Sequence, residues 1–250
     1  GMDVVVPSPV ISPEIPIMKE AIRRGLPIWS EVEVACRVTD ADVIGITGTN
    51  GKTTTTTLVG EIMKATGRQT VVGGNIGYGL SAQADNLPKE AVVVAKAATI
   101  LNITPDHLDR HHTMEGYAAA KERIFLNQDK GDYAVLNYDD ERVRAMAGDM
   151  TGTVVYFSTC GEVPEGAFYQ DGQLILRLQG RDTVVCAETD LHLFGKHNIQ
   201  NCLAAILLTY AAGAPLDVIR QVLKDFKGVE HRLEKVRTLH GVTYYNDSKG

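Results

Sequence analysis

The chain has 250 residues, 44% of them apolar, and a net charge of −6, so it can bury a core and has the length of one large or two small domains. An acidic balance without a long basic run excludes nucleic acid as the main partner, and no segment reaches the apolar length of a membrane span. Cys36, Cys160, Cys186 and Cys202 stand far apart, with no CxxC and no histidine at metal spacing, which reads as reduced core thiols in a cytosolic protein.

Gly1-Met2-Asp3 is no signal peptide, and the glycine before Met2 reads as a tag remnant. Val4-Val5-Val6 predicts a short strand ending at Pro7-Ser8-Pro9, followed by an amphipathic helix over about Glu14–Arg24, a stop at Gly25 and a strand at Pro27–Trp29. The pattern restarts with the apolar run Val43–Thr47, then Gly48-Thr49-Asn50-Gly51-Lys52-Thr53-Thr54, then a helix over Thr54–Ala65 stopped by Gly67. A strand that turns through glycines into a helix start cradles a triphosphate. Glycines let backbone N–H groups converge on phosphate oxygens, Lys52 brings a point charge to the β/γ oxygens, Thr53 offers its hydroxyl to Mg²⁺, and the helix N-terminus adds partial positive charge. Ile46 stands where the strict Walker pattern has its first glycine, so the loop must turn on Gly48.

Further strands are predicted at Thr70–Val72, Ala91–Ala95 and Thr99–Ile103. The turn Gly73-Gly74-Asn75-Ile76-Gly77 places Asn75 where it suits a polar substrate. The last strand runs into Thr104-Pro105-Asp106-His107-Leu108-Asp109-Arg110. Ligands of an open parallel sheet sit at the carboxyl ends of its strands, so these groups should face the same crevice as the phosphate loop. His107 suits a metal or a substrate carboxylate; the weaker alternative is that Thr104-Pro105-Asp106 caps a helix and the rest is solvated. Helices fit Tyr117–Asn127 and Glu141–Ala147, with a strand Tyr133–Asn137 between them. Lys121 follows a small-residue run and, taken alone, is an ordinary solvent lysine.

Thr153–Phe157, Ala167–Gln170, Leu174–Leu178 and Thr183–Ala187 are short strands with glycine turns such as Asp171-Gly172, a small antiparallel sheet appended to the domain. Helices follow at about His197–Ala212 and Leu216–Phe226. Asn198 and Asn201 share a helix face, and an amide there suits adenine recognition or an N-cap. Arg232 suits a phosphate and Asp247 a ribose hydroxyl, the latter just after a strand at Gly241–Tyr245. Alternating strands and helices predict an α/β fold: a central P-loop-type, mostly parallel sheet flanked by helices, with the small antiparallel sheet.

In this order the motifs resemble the Mur ligases, ATP-dependent amide-forming enzymes of peptidoglycan synthesis, over essentially the whole chain. Gly74-Asn75-Ile76-Gly77 and Leu101-Asn102-Ile103-Thr104-Pro105-Asp106-His107-Leu108-Asp109-Arg110 are most similar to the branch that joins D-glutamate to UDP-N-acetylmuramoyl-L-alanine. The resemblance implies remnants of N- and C-terminal Rossmann-like domains: 1–36 the end of a UDP-binding domain, 37–228 the central ATP-binding domain, 229–250 the start of a C-terminal domain. It implies ATP and Mg²⁺ as cofactors, those two small molecules as substrates, a monomer in the cytoplasm, and no nucleic-acid or membrane partner. By position, Gly48 to Thr54 with Lys52 and Thr53 would hold phosphate and Mg²⁺, and Lys121 would be the lysine that becomes a carbamate facing a second Mg²⁺. His107 would contact metal or substrate, Asn198 adenine, Arg232 and Asp247 the nucleotide, and Ser8 and Asn75 the UDP-linked substrate. Two departures stand out. Val10 replaces the glycine usual after Ser8-Pro9, and the family's Glu-Val-Ser-Ser-Phe-Gln-Leu is missing at the Ala95/Lys96 junction. That points to a full-length enzyme with residues omitted here. A sister Mur ligase, a folylpolyglutamate synthase-like ligase and an inactive ATP-binding module are the competing readings.

Overall fold

A computed structural model describes residues 2–8, 11–12, 14–73, 83, 87–105, 113–229, 234–239 and 242–246. Residues 1–43 with 69–93 form one compact unit, and 44–68 with 94–250 a second.

In the first unit, α1 (Pro16–Arg23) starts on a proline, whose missing N–H costs nothing in a first turn. α2 (Glu31–Val38) is a helix the sequence reading lacks. Its signal is the Ser30-x-x-Glu33 spacing, and the Ser30 hydroxyl accepts the Glu33 N–H at 3.1 Å. The two expected first strands reduce to one parallel bridge between Val5 and Ile28, because Pro7 and Pro27 remove donors on either side. The Thr70–Val72 strand likewise shrinks to a Thr70–Val92 bridge. Ala35, Ala41, Ala91 and Val93 make this unit's core, with Val43, Val71 and Leu87 against it.

The main sheet has seven strands in chain order: β1 (Asp42–Thr47), β2 (Val92–Ile100), β3 (Tyr133–Asn137), β4 (Thr153–Ser158), β5 (Gly166–Gln170), β6 (Gln173–Leu178) and β7 (Arg181–Ala187). Pairing is parallel from β2 to β5 and antiparallel from β5 to β7. Two expectations change here. β2 is one strand where two were expected, since no glycine, proline or turn residue interrupts 92–100. The antiparallel strands are no separate sheet: β4 pairs in parallel with both β3 and β5, and the meander extends the same sheet. Its hairpins turn on Asp171-Gly172 (φ 49° and 77°) and Gln179-Gly180 (φ 51° and 70°), the paired positive φ that two-residue hairpins need.

Strand alternation sends Ala98, Ile100, Ala134 and Leu136 to one face of the sheet. There they pack with Tyr117 of α4 (Met114–Glu122), with Phe125 in the 3₁₀ turn that continues it, and with Val143 of α5 (Glu141–Ala145). α4 begins three residues before the expected start because the Thr113 hydroxyl accepts the Gly116 N–H at 3.0 Å. α6 (Lys196–Ala211) lies along β3, β4 and β5, and packs against both α3 (Lys52–Ala65) and α7 (Leu216–Asp225). Eleven of its sixteen residues are buried, so it is a core helix rather than an amphipathic one. β8 (Glu234–Leu239) and β9 (Val242–Asn246) form a hairpin of which only the second strand was anticipated. Cys186 and Cys202 are buried as expected, but Cys36 and Cys160 are exposed, so only half of the thiols belong to the core.

Thr99 is fully buried in β2, and among the described residues its hydroxyl has no hydrogen-bond partner. Thr99→Val removes an unsatisfied polar atom from the core and should raise stability by about 1 kcal/mol in a urea titration. A loss of stability would mean that the hydroxyl is satisfied.

Candidate functional site

The β1–β2 ladder continues past the two strands: Leu101 N–H donates to Thr47 O at 2.9 Å, and Thr49 N–H to Asn102 O at 3.0 Å. Between these bonds the chain turns on Gly48 at φ 146°, where a Cβ would stand 2.9 Å from Leu101 Cβ. Gly51 (φ 84°) ends the loop, and a Cβ there would lie 2.3 Å from Asn201 Oδ1. Both glycines are therefore required by backbone conformation and by space.

Helix α3 starts directly after Gly51, and its first i→i−4 bond is Thr55 N–H to Gly51 O at 2.9 Å. The amides of Thr53 and Thr54 precede that bond, at the positive end of the helix dipole. The Thr54 side chain is buried, while Thr53 is half-buried and Lys52 exposed. Lys52 Nζ donates to Gly48 O at 2.9 Å and to Thr49 O at 2.6 Å. Lys121 reaches the same place from α4. Its Nζ donates to Gly48 O at 3.1 Å and to Thr47 Oγ1 at 3.4 Å, and it lies 4.6 Å from the centre of the Tyr117 ring. Thr47, Tyr117, Ala120, Lys121 and Ile124 line a cavity of about 350 Å³. Two ammonium groups thus share one carbonyl oxygen beside a helix N-terminus, a concentration of positive charge suited to a polyphosphate.

Asn102 lies within the Leu101–Arg110 motif, where nothing in the sequence marks it for a role. Its Oδ1 accepts from the N–H groups of Thr49 (3.1 Å) and Asn50 (2.8 Å), and its Nδ2 donates to Asn50 O at 3.2 Å. Thr49 is a second junction. Its hydroxyl donates to Thr104 O (3.2 Å), accepts from Thr104 N–H (3.0 Å), and lies 3.4 Å from the Tyr117 hydroxyl.

Asn198 and Asn201 are both buried. Asn201 Oδ1 accepts from the Thr55 hydroxyl at 3.2 Å, and its Nδ2 donates to Asn198 Oδ1 at 3.2 Å. Asn198 Nδ2 in turn donates to Phe194 O at 2.8 Å. Gly195 occupies the N-cap of α6, so Asn198 stands in the first turn rather than capping it. Further along the carboxyl edge of the sheet, burial pushes the Asp139 carboxyl up. Hydrogen bonds from the Ser158 hydroxyl, the Thr159 N–H and hydroxyl, and the Gln200 side chain outweigh it, and the net direction is down.

Ser8 is exposed in the first unit, and its carbonyl accepts from Ile11 N–H at 2.9 Å. Asn75, His107, Arg232 and Asp247, with Pro9 and Val10, lie outside the described residues. Among the described residues, no three His, Cys, Asp or Glu side chains cluster as metal ligands. Thr53 offers a hydroxyl oxygen, whereas the Lys121 ammonium has only donors and fits a metal only after conversion to an acid.

Residues 81–209, just over half the chain, match the Mur ligase middle domain. The UDP-N-acetylmuramoylalanine–D-glutamate ligase of Desulfitobacterium hafniense strain Y51 is 46% identical over 99% of this chain and 58% of its own. The enzyme of that name from Clostridioides difficile is 43% identical over 100% and 58%. The chain thus spans less than two thirds of these curated relatives. The Desulfitobacterium alignment covers 263 positions against 250 residues, so that relative has residues within the aligned span that this chain lacks. Among solved structures, a D-alanyl-D-alanyl-adding ligase from Acinetobacter baumannii superposes with a TM-score of 0.67 at 22% identity, over 87% of this chain and 53% of its own. The UDP-N-acetylmuramate–alanine ligase of Thermotoga maritima gives 0.61 at 21%, over 97% and 59%. Both show the α/β fold.

Gly51→Ala forces a side chain into the left-handed region and against Asn201, a backbone cost of about 1–2 kcal/mol before the clash. It should abolish retention on ATP-agarose; wild-type retention would show that the loop tolerates the methyl. Asp139→Asn tests the depressed carboxyl. A native pKa below the unfolded value contributes stability that is present above the unfolded pKa, near 3.9, and is lost as pH falls through the native pKa. The unfolding free energy should therefore drop by about 1 kcal/mol at pH 7, a half-exposed site being discounted for screening. It should converge with that of wild type only once pH has fallen through the native pKa, which lies below the ordinary aspartate value.

Proposed function

We propose, for a chain that belongs to the Mur ligase family through its middle domain, that it performs ATP-dependent addition of D-glutamate to UDP-N-acetylmuramoyl-L-alanine in peptidoglycan synthesis. The observation that carries this reading is the meeting of Lys52 and Lys121 on Gly48 O at the start of α3. The names of its relatives supply the substrates.

ATP, when bound, supplies the phosphoryl group that converts the alanine carboxylate into an acyl phosphate open to the amine of D-glutamate, which splits one uphill condensation into two steps. The chain's own residues bind and orient. Gly48 and Gly51 keep the loop free of side chains, so that the backbone can approach phosphate. Lys52 moves its charge from loop carbonyls to phosphate oxygens, and stabilises the charge that spreads over the transferring group. Thr53 would hold Mg²⁺ through its hydroxyl; the ion supplies neutralisation of the phosphate oxygens. Lys121, once its amine bears a carboxylate, would present oxygen rather than hydrogen to a second Mg²⁺. Asn198 and Asn201 position the start of α6 against the loop, and Asn198 would meet adenine there. His107, Arg232, Asp247, Asn75 and Ser8 keep the roles assigned to them by resemblance, with residues 1–36 and 229–250 belonging to neighbouring domains. We place the enzyme in the cytoplasm as a monomer, without nucleic-acid or membrane partners. Among the described residues, no helix is long and apolar enough to cross a membrane.

Phosphate release by the full-length protein, with UDP-N-acetylmuramoyl-L-alanine and D-glutamate, tests the proposal. Lys52→Ala should lower it at least about a hundredfold, the usual loss for a charge-stabilising group. Lys121→Ala should be nearly inactive and partly restored by added formate. Release that needs L-lysine, diaminopimelate or a folate instead of D-glutamate would sink the substrate assignment, and full activity of Lys52→Ala would sink the phosphate-loop assignment.

A further inference from the structure

We infer that Asn102 is a positioning residue for phosphoryl transfer, dividing the phosphate loop into an anchored first half and a ligand-facing second half; this rests on the triphosphate reading of the loop. A primary amide has one acceptor oxygen and two N–H donors. Asn102 spends the oxygen on two consecutive loop amides, Thr49 N–H and Asn50 N–H, and one donor on Asn50 O. Successive backbone N–H groups that converge on one point form an anion-binding concavity. Here that concavity is filled by a neutral oxygen of the protein itself. The amides of Thr49 and Asn50 therefore fix the loop's shape, and phosphate contact falls to Lys52 and the amides that open α3. The strand end holding Asn102 is itself tied down: Leu101 N–H bonds Thr47 O, and Asn137 Nδ2 bonds Leu101 O at 2.7 Å. The template is thus part of the sheet and not of the loop that it shapes.

The chemistry also requires a neutral group. A carboxylate at this position would accept from the same two amides, but would place a full negative charge beside the phosphate path and lose the donor to Asn50 O.

The test compares Asn102→Leu, which removes all three contacts at similar volume, with Asn102→Asp, which keeps the two accepting ones. MgATP affinity is measured by calorimetry on the full-length protein, with melting temperature and the separate KM values for ATP, the UDP-linked substrate and D-glutamate. Asn102→Leu should raise the ATP Kd and KM at least tenfold, leaving the other two KM values within about twofold, with the same ratio to wild type at low and high salt. Asn102→Asp should also bind ATP at least tenfold more weakly, but its ratio to wild type should recover in part in high salt, because the added charge is screened while the lost donor to Asn50 O is not. A folded Asn102→Leu with wild-type ATP affinity overturns the inference, as does a uniform rise of all three KM values. Should the leucine variant fail to fold, the salt response of Asn102→Asp decides alone, and a salt-independent ratio overturns the inference. Lys52→Ala run alongside separates the two levels. If it too binds ATP normally, the loop is no triphosphate site; if it alone loses ATP, the loop stands and Asn102 does not position it.

Discussion

Two backbone hydrogen bonds beyond the ends of β1 and β2 govern the shape of the site. Thr47 O with Leu101 N and Thr49 N with Asn102 O hold the chain against its neighbour on both sides of Gly48. The turn must therefore be made within one residue, at a positive φ and with Leu101 in van der Waals range. Only glycine meets both conditions. Once that turn is set, Gly51 directs the chain into α3 beneath Asn201, Lys52 folds onto the loop, and the Gly48 carbonyl points where Lys121 can reach it. Remote parts of the sequence become one site because a single peptide group is fixed.

That convergence has an electrostatic consequence. Two Nζ atoms that bond one oxygen at 2.9 and 3.1 Å are no more than about 6 Å apart. Their repulsion is therefore at least about 0.7 kcal/mol in bulk water and at least about 3 kcal/mol at an effective dielectric of 20. The Gly48 carbonyl and the Tyr117 ring beneath Lys121 offset part of this, the ring by about 0.5–1 kcal/mol at a partly exposed position. A polyanion would relieve the remainder, as would conversion of the Lys121 amine to an acid. A bound polyphosphate and a modified lysine, both part of the proposed function, would each act on this same repulsion.

Most of this fold was legible in the chain because it is written in local signals. Glycine turns and apolar runs indicate β1, β3 to β7 and the helices α3, α6 and α7 within a few residues of where they stand. What escaped was non-local or subtle. The pairing of β4 with β5 in parallel depends on which strands meet, which period alone does not encode. α2 was hidden in a capping spacing overshadowed by the expected strand beside it. In the candidate site, Lys52 stands out by its motif, whereas Lys121 taken alone reads as a solvent lysine and is singled out only by the resemblance; the fold brings both to Gly48. The part played by Asn102 had no sequence signal of its own, since its partners are backbone atoms some fifty positions earlier.

Helix α6 has buried residues on every side for most of its length, from Asn198 to Thr209. A strand-facing helix with a wet side can drift in sequence along that side, but this one offers almost no such freedom. The helix packs against β3, β4, β5, α3 and α7, so for its buried residues a gain of one methylene must be matched by a loss in a neighbouring element. Sequence change in this segment has to come as paired exchanges of volume. Through the bond from the Thr55 hydroxyl to Asn201, that close packing also ties the amide pair near the start of α6 to α3, so a change of volume in the helix would be felt at the site.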